Sequence, residues 1–355
     1  MAERATRIGF IGAGMMGRLH LEHFSRLPEI EMAAVADANP RRLAEARARY
    51  AVPHAYDDGA TLIAEADVDA VVVAVPNRLD APLAIAALEA GRHVLIEKPM
   101  ATSAAEGRAI MEAERRAGRK VLVGHHMRWS WPYWAIKPQV EVGEFGRIYY
   151  VKAGWFRRKG IPAWGTPYTS HAHMAGGAAV DIGVHMLDLA LHLLGDRRPV
   201  SVFGADYSKI GTQRMGLGGW GERDMGGAFD VDDLAAAMIR LDDSTLVNLE
   251  VSWAAYTDAE GNVPYLHLMG DKGGVSVRGS AGKWMIERFD SAVDVAPAPP
   301  EGREDERTAI ARHFVDCIRN DATPLVSSLS GYVNSAVLEA LYRSSKTGEA
   351  VSDFV

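Results

Sequence analysis

Between Arg7 and Val123 short apolar runs alternate with stretches of helical period, the pattern of strand and helix units that build a parallel sheet. Strands are predicted at 8–11, 32–36, 70–75, 94–96 and 121–123, and helices at 15–25, 40–49, 81–89 and 103–116. Asn39-Pro40 and Thr102-Ser103 supply helix-starting caps. After about His125 the pattern turns to alternating aromatic and polar residues, with strands predicted at 148–156, 200–203, 235–241, 245–253 and 265–269. Helical period returns at 177–194 and 331–345. The glycine-rich stretch 211–227 has little period and is expected to be a mobile surface loop, and 296–300 is a short proline connector. The expected fold is α/β: a doubly wound domain over 1–125, then an α+β domain over 126–355 with an open, mostly antiparallel sheet.

Composition narrows the function. A chain of 355 residues, 48% hydrophobic and 24% charged, has the length for two domains. A net charge of −7 with scattered arginines offers no footprint for nucleic acid or anionic lipid, so neither is an expected partner. Cys317, the single cysteine, lies in the helix-face pattern Ile310, Phe314, Cys317, Ile318 and reads as a buried hydrophobe, which excludes cysteine-based metal or thiol chemistry. His171 and His173 have ligand spacing but no accompanying carboxylate or cysteine cluster, and no metal is expected. The first residues lack the apolar core of a secretory signal and no later run is long enough to span a bilayer, so a cytoplasmic location is expected.

The first strand runs into Gly12-Ala13-Gly14-Met15-Met16-Gly17, a Gly-x-Gly-x-x-Gly that opens a helix. The first glycine permits a tight turn, the second a close approach to a pyrophosphate, and the third close packing of helix on strand, while the helix start offers free N–H groups. Alone the motif fits a structural turn equally well. Asp37 ends the second strand about 20 residues further on, where a carboxylate binds an adenosine ribose. As a structural residue it would cap the turn before the next helix. Its charge disfavours a 2′-phosphate, so NAD is the expected cofactor and NADP the less suited one; Arg41 and Arg42, read as a solvated helix face, are the groups that would accommodate such a phosphate. The first domain is thus expected to be an NAD-binding Rossmann domain.

Two further segments carry candidate chemistry. Glu97-Lys98-Pro99 directly follows the strand at 94–96, at the carboxyl edge of the sheet where doubly wound folds bind ligands. Asp181 and His185 stand four apart at a helix start and so share one face. Lys98, Asp181 and His185 are expected to converge where the domains meet. Singly, Lys98 also fits a surface lysine before a turn, and His185 a structural histidine.

With these motifs the sequence resembles the Gfo/Idh/MocA family of sugar and cyclitol oxidoreductases. The resemblance rests on Gly12 to Gly17, Val75-Pro76-Asn77, Gly91-Arg92-His93-Val94 leading into Glu97-Lys98-Pro99, Gly176-Gly177 before Asp181 to His185, and the closing Glu339 to Thr347-Gly348. These follow the family's order over most of the chain. The resemblance implies an NAD(H)-dependent oxidoreductase acting on a secondary hydroxyl of a sugar, sugar derivative or inositol, with Pro76, Asn77, Glu97 and Lys98 at the cofactor beside the glycine turn. One position departs: where the family commonly has histidine three residues after the asparagine, this chain has Asp80, a residue able to cap the next helix. A neutral imidazole suits His185 as the general base, Lys98 would stabilise alkoxide character on the same oxygen, and Asp181 would orient the sugar and hold His185. The family is not uniform in whether lysine or histidine is the base.

Substrate contacts are expected from His126 and Arg128 after the strand at 121–123, and from Trp155, Arg157, Trp164, Tyr168, His173 and Asp181, since rings stack on a sugar's apolar face and polar groups bind its hydroxyls. Trp155 and Trp253 also sit in strand patterns and read as core or interface. Two rival functions use the same residues or fold: a redox-neutral enzyme that oxidises a sugar transiently to cleave a glycoside, and a non-catalytic dinucleotide or sugar sensor. An exposed second-domain sheet bearing tryptophans points to a homodimer or homotetramer.

Overall fold

A computed structural model describes residues 4–195, 197–219, 226–258 and 262–354. The chain divides into two units: residues up to His126 together with Glu304–Ser335, and Met127–Arg303 together with the stretch from Ala336 on.

The first unit is built on six parallel strands, β1 (Thr6–Ile11), β2 (Ile30–Ala36), β3 (His54–Tyr56), β4 (Ala70–Val73), β5 (His93–Ile96) and β6 (Val121–Val123). Their order is β3-β2-β1-β4-β5-β6, so the strand sequence reverses between β1 and β4. β4 is Ala-Val-Val-Val with every residue buried, as a strand covered on both faces requires. Helices start where the caps predicted: Asn39 accepts from the amides of Arg41 and Arg42 ahead of Pro40–Tyr50, and Ser103 accepts from Glu106 ahead of Ala104–Ala117. The pattern missed β3 and the helix Gly59–Glu65 because three and seven residues give too little period to read.

The two compact units do not follow a single cut at 125, since Glu304–Ser335 groups with the first. The helix Glu306–Arg319 belongs to the first unit because its apolar face needs a partner there: Phe314 meets Phe24 edge to face, with ring centroids 6.5 Å apart. Val326 then accepts a hydrogen bond from the amide of Val123 in β6.

The second unit carries eight strands, β7 (Ile148–Phe156), β8 (Pro199–Tyr207), β9 (Leu234–Leu241), β10 (Leu246–Ser252), β11 (Tyr265–Gly270), β12 (Gly273–Arg278), β13 (Ala281–Arg288) and β14 (Ser291–Val295). The order is β14-β13-β12-β11-β7-β10-β9-β8, antiparallel except for β7 beside β10. Strands β12 to β14 were not foreseen; they are successive hairpins whose exposed polar residues blur the alternation. One face is covered by the buried run Ala179–Gly183 and Val184–Leu194. Phe203 and Met238, cross-strand partners on β8 and β9, are 52% and 38% exposed, so the open face carries these rather than the expected tryptophans. Trp253 is fully buried. Contrary to the sequence reading, the stretch His171–Leu194 is long and apolar enough to cross a membrane by length and composition, but 83% of its most apolar window is buried inside the protein, as in a core helix.

The loop expected to be mobile is on the surface yet anchored where it is described. The carboxylate of Asp233 accepts from the amides of Lys209, Ile210 and Gly211, and the carbonyl of Gly211 accepts from the Trp164 indole. Residues 220–225 of that stretch lie outside the described residues.

Candidate functional site

In the first unit the glycine turn joins β1 to the helix Met15–Phe24 at the strand-order reversal. Gly12 has φ of +95°, and a side-chain carbon there would lie 2.2 Å from the carbonyl oxygen of Ala74; one on Gly17 would lie 1.8 Å from that of Gly12. Both are glycine because the protein itself leaves no room. Gly14 is different: a side-chain carbon there would meet nothing within 4 Å. It precedes a helix whose start has no side-chain cap and no acidic residue in its first turn, so the amides face outward for an anion. Met15 and Met16 begin that helix, and Met15 is 42% exposed.

Asp37 joins the two roles the sequence offered. One carboxylate oxygen accepts from the amide of Ala13 in the glycine turn at 2.7 Å, the other from the amide of Asn39 at 2.7 Å. Each oxygen keeps a second lone pair for a ribose hydroxyl. Pro76 and the buried Asn77 begin the loop after β4, and Lys98 follows β5 in the adjacent strand.

Glu97, expected at the cofactor, is held by the protein through both oxygens. One oxygen pairs with the ring of His20 at 2.7 Å and the other accepts from the amide of Lys98 at 3.1 Å, all within the buried interior. Burial pushes its pKa up, but the hydrogen bond and charge of His20, with the charges of Lys98 and Arg307, outweigh this and bring it down to about 2. Glu97 thus stays ionised and ties the Lys98 backbone to the first helix. His20 was not foreseen, since one polar residue on an amphipathic helix gives no signal of a buried partner 77 positions away. His126 is half-buried just past β6, and burial, then Arg307, lowers its pKa to about 3, leaving a neutral ring.

In the second unit the chemistry gathers on one turn. Ala179–Gly183 is wound as a π-turn, a distortion frequent at functional sites, and it leads into the helix that carries His185. Its start is fixed by the buried Asp232, which accepts from the amides of Gly177 and Ala179 and from the hydroxyl of Tyr342. Asp181 accepts from the indole N–H of Trp253 at 2.9 Å. The ring of His185 lies 6.5 Å from that of Trp155, and the guanidinium of Arg157 stacks 4.5 Å above the Trp155 ring. Burial lowers the Arg157 pKa while the charge of Asp181 works against it. Asp181, His185, Arg157 and Trp155 therefore form one cluster, with Trp253 and Asp232 as unforeseen supports. Tyr168 is half-buried, and His173 is exposed with its ring against the Ser170 hydroxyl at 3.0 Å.

Two expected substrate residues have partners within the protein. Arg128 is buried and grips Asp188 through two hydrogen bonds of 2.9 and 2.6 Å, because a guanidinium taken out of water needs a carboxylate. Trp164 is fully buried with its N–H spent on Gly211, so its ring serves the core.

Known proteins match both units. Residues 6–125 match the model of an oxidoreductase family with an NAD-binding Rossmann fold, and residues 133–276 match the GFO/IDH/MocA C-terminal domain. D-glucoside 3-dehydrogenase of Escherichia coli (strain K12) is 29% identical over 99% of this chain and 98% of its own. A putative UDP-kanosamine synthase oxidoreductase subunit of Amycolatopsis mediterranei (strain S699) is 32% identical over 77% of this chain and 75% of its own. The fold is that of levoglucosan dehydrogenase solved with NADH and L-sorbose, at a TM-score of 0.87 and 23% identity, covering 99% of this chain and all of that one. With the glycine turn, the Glu97-Lys98-Pro99 segment and the Asp181 to His185 turn all present in these two matched regions, the chain belongs to the GFO/IDH/MocA family of oxidoreductases.

Proposed function

We propose that the chain is an NAD-dependent dehydrogenase acting on a secondary hydroxyl of a sugar, sugar derivative or cyclitol. The observation that carries this reading is Gly14: none of the described residues crowds that position, and its open flank beside uncapped helix amides suits a pyrophosphate. When bound, NAD supplies the hydride acceptor. In the second unit His185 takes the hydroxyl proton and Asp181 binds a neighbouring hydroxyl; in the first, Lys98 is the cation that would stabilise developing negative charge. Arg157 and Trp155 give that cluster a polar edge and a ring face, the pairing a saccharide needs, and a relative named for glucoside oxidation supports the substrate class. Asp37 supports a preference for NAD over NADP. The exposed Phe203 and Met238 on the open sheet support a homodimer or homotetramer, which sedimentation would test.

The experiment is a panel of glucosides, aldoses and inositols incubated with NAD and followed through the absorbance of reduced nicotinamide. Accumulation of NADH with at least one substrate is expected. Glycoside cleavage without net NADH would establish the redox-neutral rival instead, and failure to bind NAD would end the reading.

A further inference from the structure

Asp80 stands apart from the other buried carboxyl groups. It opens the helix Asp80–Glu89 and is 0% exposed, and neither of its oxygens has a well-formed hydrogen bond among the described residues, the Val75 amide approaching only loosely. Other buried carboxyl groups have donors: Glu97 has His20 and an amide, Asp188 has Arg128, Asp232 has two amides and a hydroxyl, and Asp233 has three amides. A carboxylate removed from water without donors is costly, so such a group either keeps its proton or takes a counter-charge.

Topology identifies the counter-charge. β4 and β5 are adjacent, with Val73 opposite Ile96; Asp80 begins the helix that follows β4, and Lys98 lies two residues beyond Ile96. Three charged groups act on Asp80, Glu97, Lys98 and Glu106, and the first of them is itself paired with His20. Burial first, then the charge of Glu97, pushes the Asp80 pKa well above the carboxylate range, with Glu106 adding to the rise and Lys98 and the Val75 amide opposing it. Burial of an unpartnered carboxyl group thus favours its protonated form, and the charge of Lys98 is the influence that opposes it.

We propose that Asp80 is a positioning residue for Lys98: while neutral it leaves the lysine ammonium directed at the substrate oxygen, and once ionised it draws that ammonium to itself and stops turnover. The proton released in the second state goes to solvent, and no bond to carbon changes. The inference rests on the catalytic reading of Lys98 given above.

Asp80→Asn keeps the shape and cannot ionise. Wild-type kcat/KM for the sugar should fall at alkaline pH, and in Asp80→Asn that limb should move upward by at least about one pH unit, a tenfold change in proton activity. Superimposable profiles would overturn the proposal. A readout independent of turnover is the infrared band of a protonated carboxyl, obtained as wild type minus Asp80→Asn, with Asp80→Ala for the subtraction if the asparagine variant does not fold. The band should be present at neutral pH and disappear along the alkaline limb; its absence at neutral pH refutes the neutral acid. In Lys98→Met the midpoint of the band should rise, because the cation that favoured ionisation is gone, and an unchanged midpoint would show that the two groups do not interact. Full turnover in Lys98→Met with a shifted midpoint would instead fail the catalytic reading of Lys98 while leaving the coupling intact.

Discussion

Replacing Arg128 by alanine strips the Asp188 carboxylate of its two guanidinium hydrogen bonds in a place where the two side chains are only 5% and 2% exposed. Removing one member of a buried ion pair costs about 3–5 kcal/mol, because the remaining charge keeps its desolvation penalty and loses its partner. For a domain of roughly 150–250 residues each kcal/mol corresponds to about 2–4 °C, so the second unit of Arg128→Ala should unfold about 6–20 °C below wild type. Calorimetry or near-ultraviolet circular dichroism would measure the shift, with KM for the sugar measured well below the new midpoint. The companion variant removes both charges: Arg128→Met with Asp188→Leu should recover most of the loss, since an apolar pair of similar volume carries no stranded charge. A stably folded Arg128→Ala enzyme with wild-type unfolding and a greatly raised KM would refute this reasoning and restore Arg128 as a sugar ligand.

Three further outcomes are expected. His185→Ala should lower turnover by roughly 10²- to 10⁴-fold with NAD affinity nearly unchanged, and the acid limb of the wild-type pH profile should vanish with it; undiminished turnover would make Lys98 the candidate base. Asp37→Ser should narrow or reverse the ratio of NAD to NADP efficiency, and equal efficiency in the wild type would contradict the role given to that carboxylate. Glu97 has a folded pKa depressed to about 2, so its contribution to stability is present above its ordinary value near 4.5 and lost as pH falls from there toward 2. The difference in melting temperature between wild type and Glu97→Gln should therefore shrink across that acid window, and a pH-independent difference would show that the His20 pair does not hold the charge.

The parallel sheet was legible because β1, β2, β4, β5 and β6 are continuous apolar runs separated by capped helices, and the turn Gly12 to Gly17 combines two glycines demanded by packing with one that is not. The internal partners of Arg128 and Trp164 were not legible, because residue type tells what a side chain can bind but not what the protein sets beside it. Both are claimed by partners 60 and 47 positions away. Similar distances hid His20, Trp253 and Asp232, which support the site through long-range hydrogen bonds to Glu97, to Asp181 and to the start of the Ala179–Gly183 turn. Asp80 was visible as a departure from the family pattern, but its burial came from the packing of β4 against its helix and from no feature of the residues next to it.

The return of Glu304–Ser335 to the first unit has a consequence for biosynthesis. A chain emerging from the ribosome completes the six strands by Val123, yet the apolar surface of Phe24 must wait for Phe314, and β6 for Val326, until nearly all of the remaining sequence has been made. The nascent dinucleotide-binding half would therefore spend most of its synthesis with an uncovered patch. Cutting the gene after residue 126 would leave that patch permanently open, so solubility of such a fragment should depend on supplying 304–335 in trans.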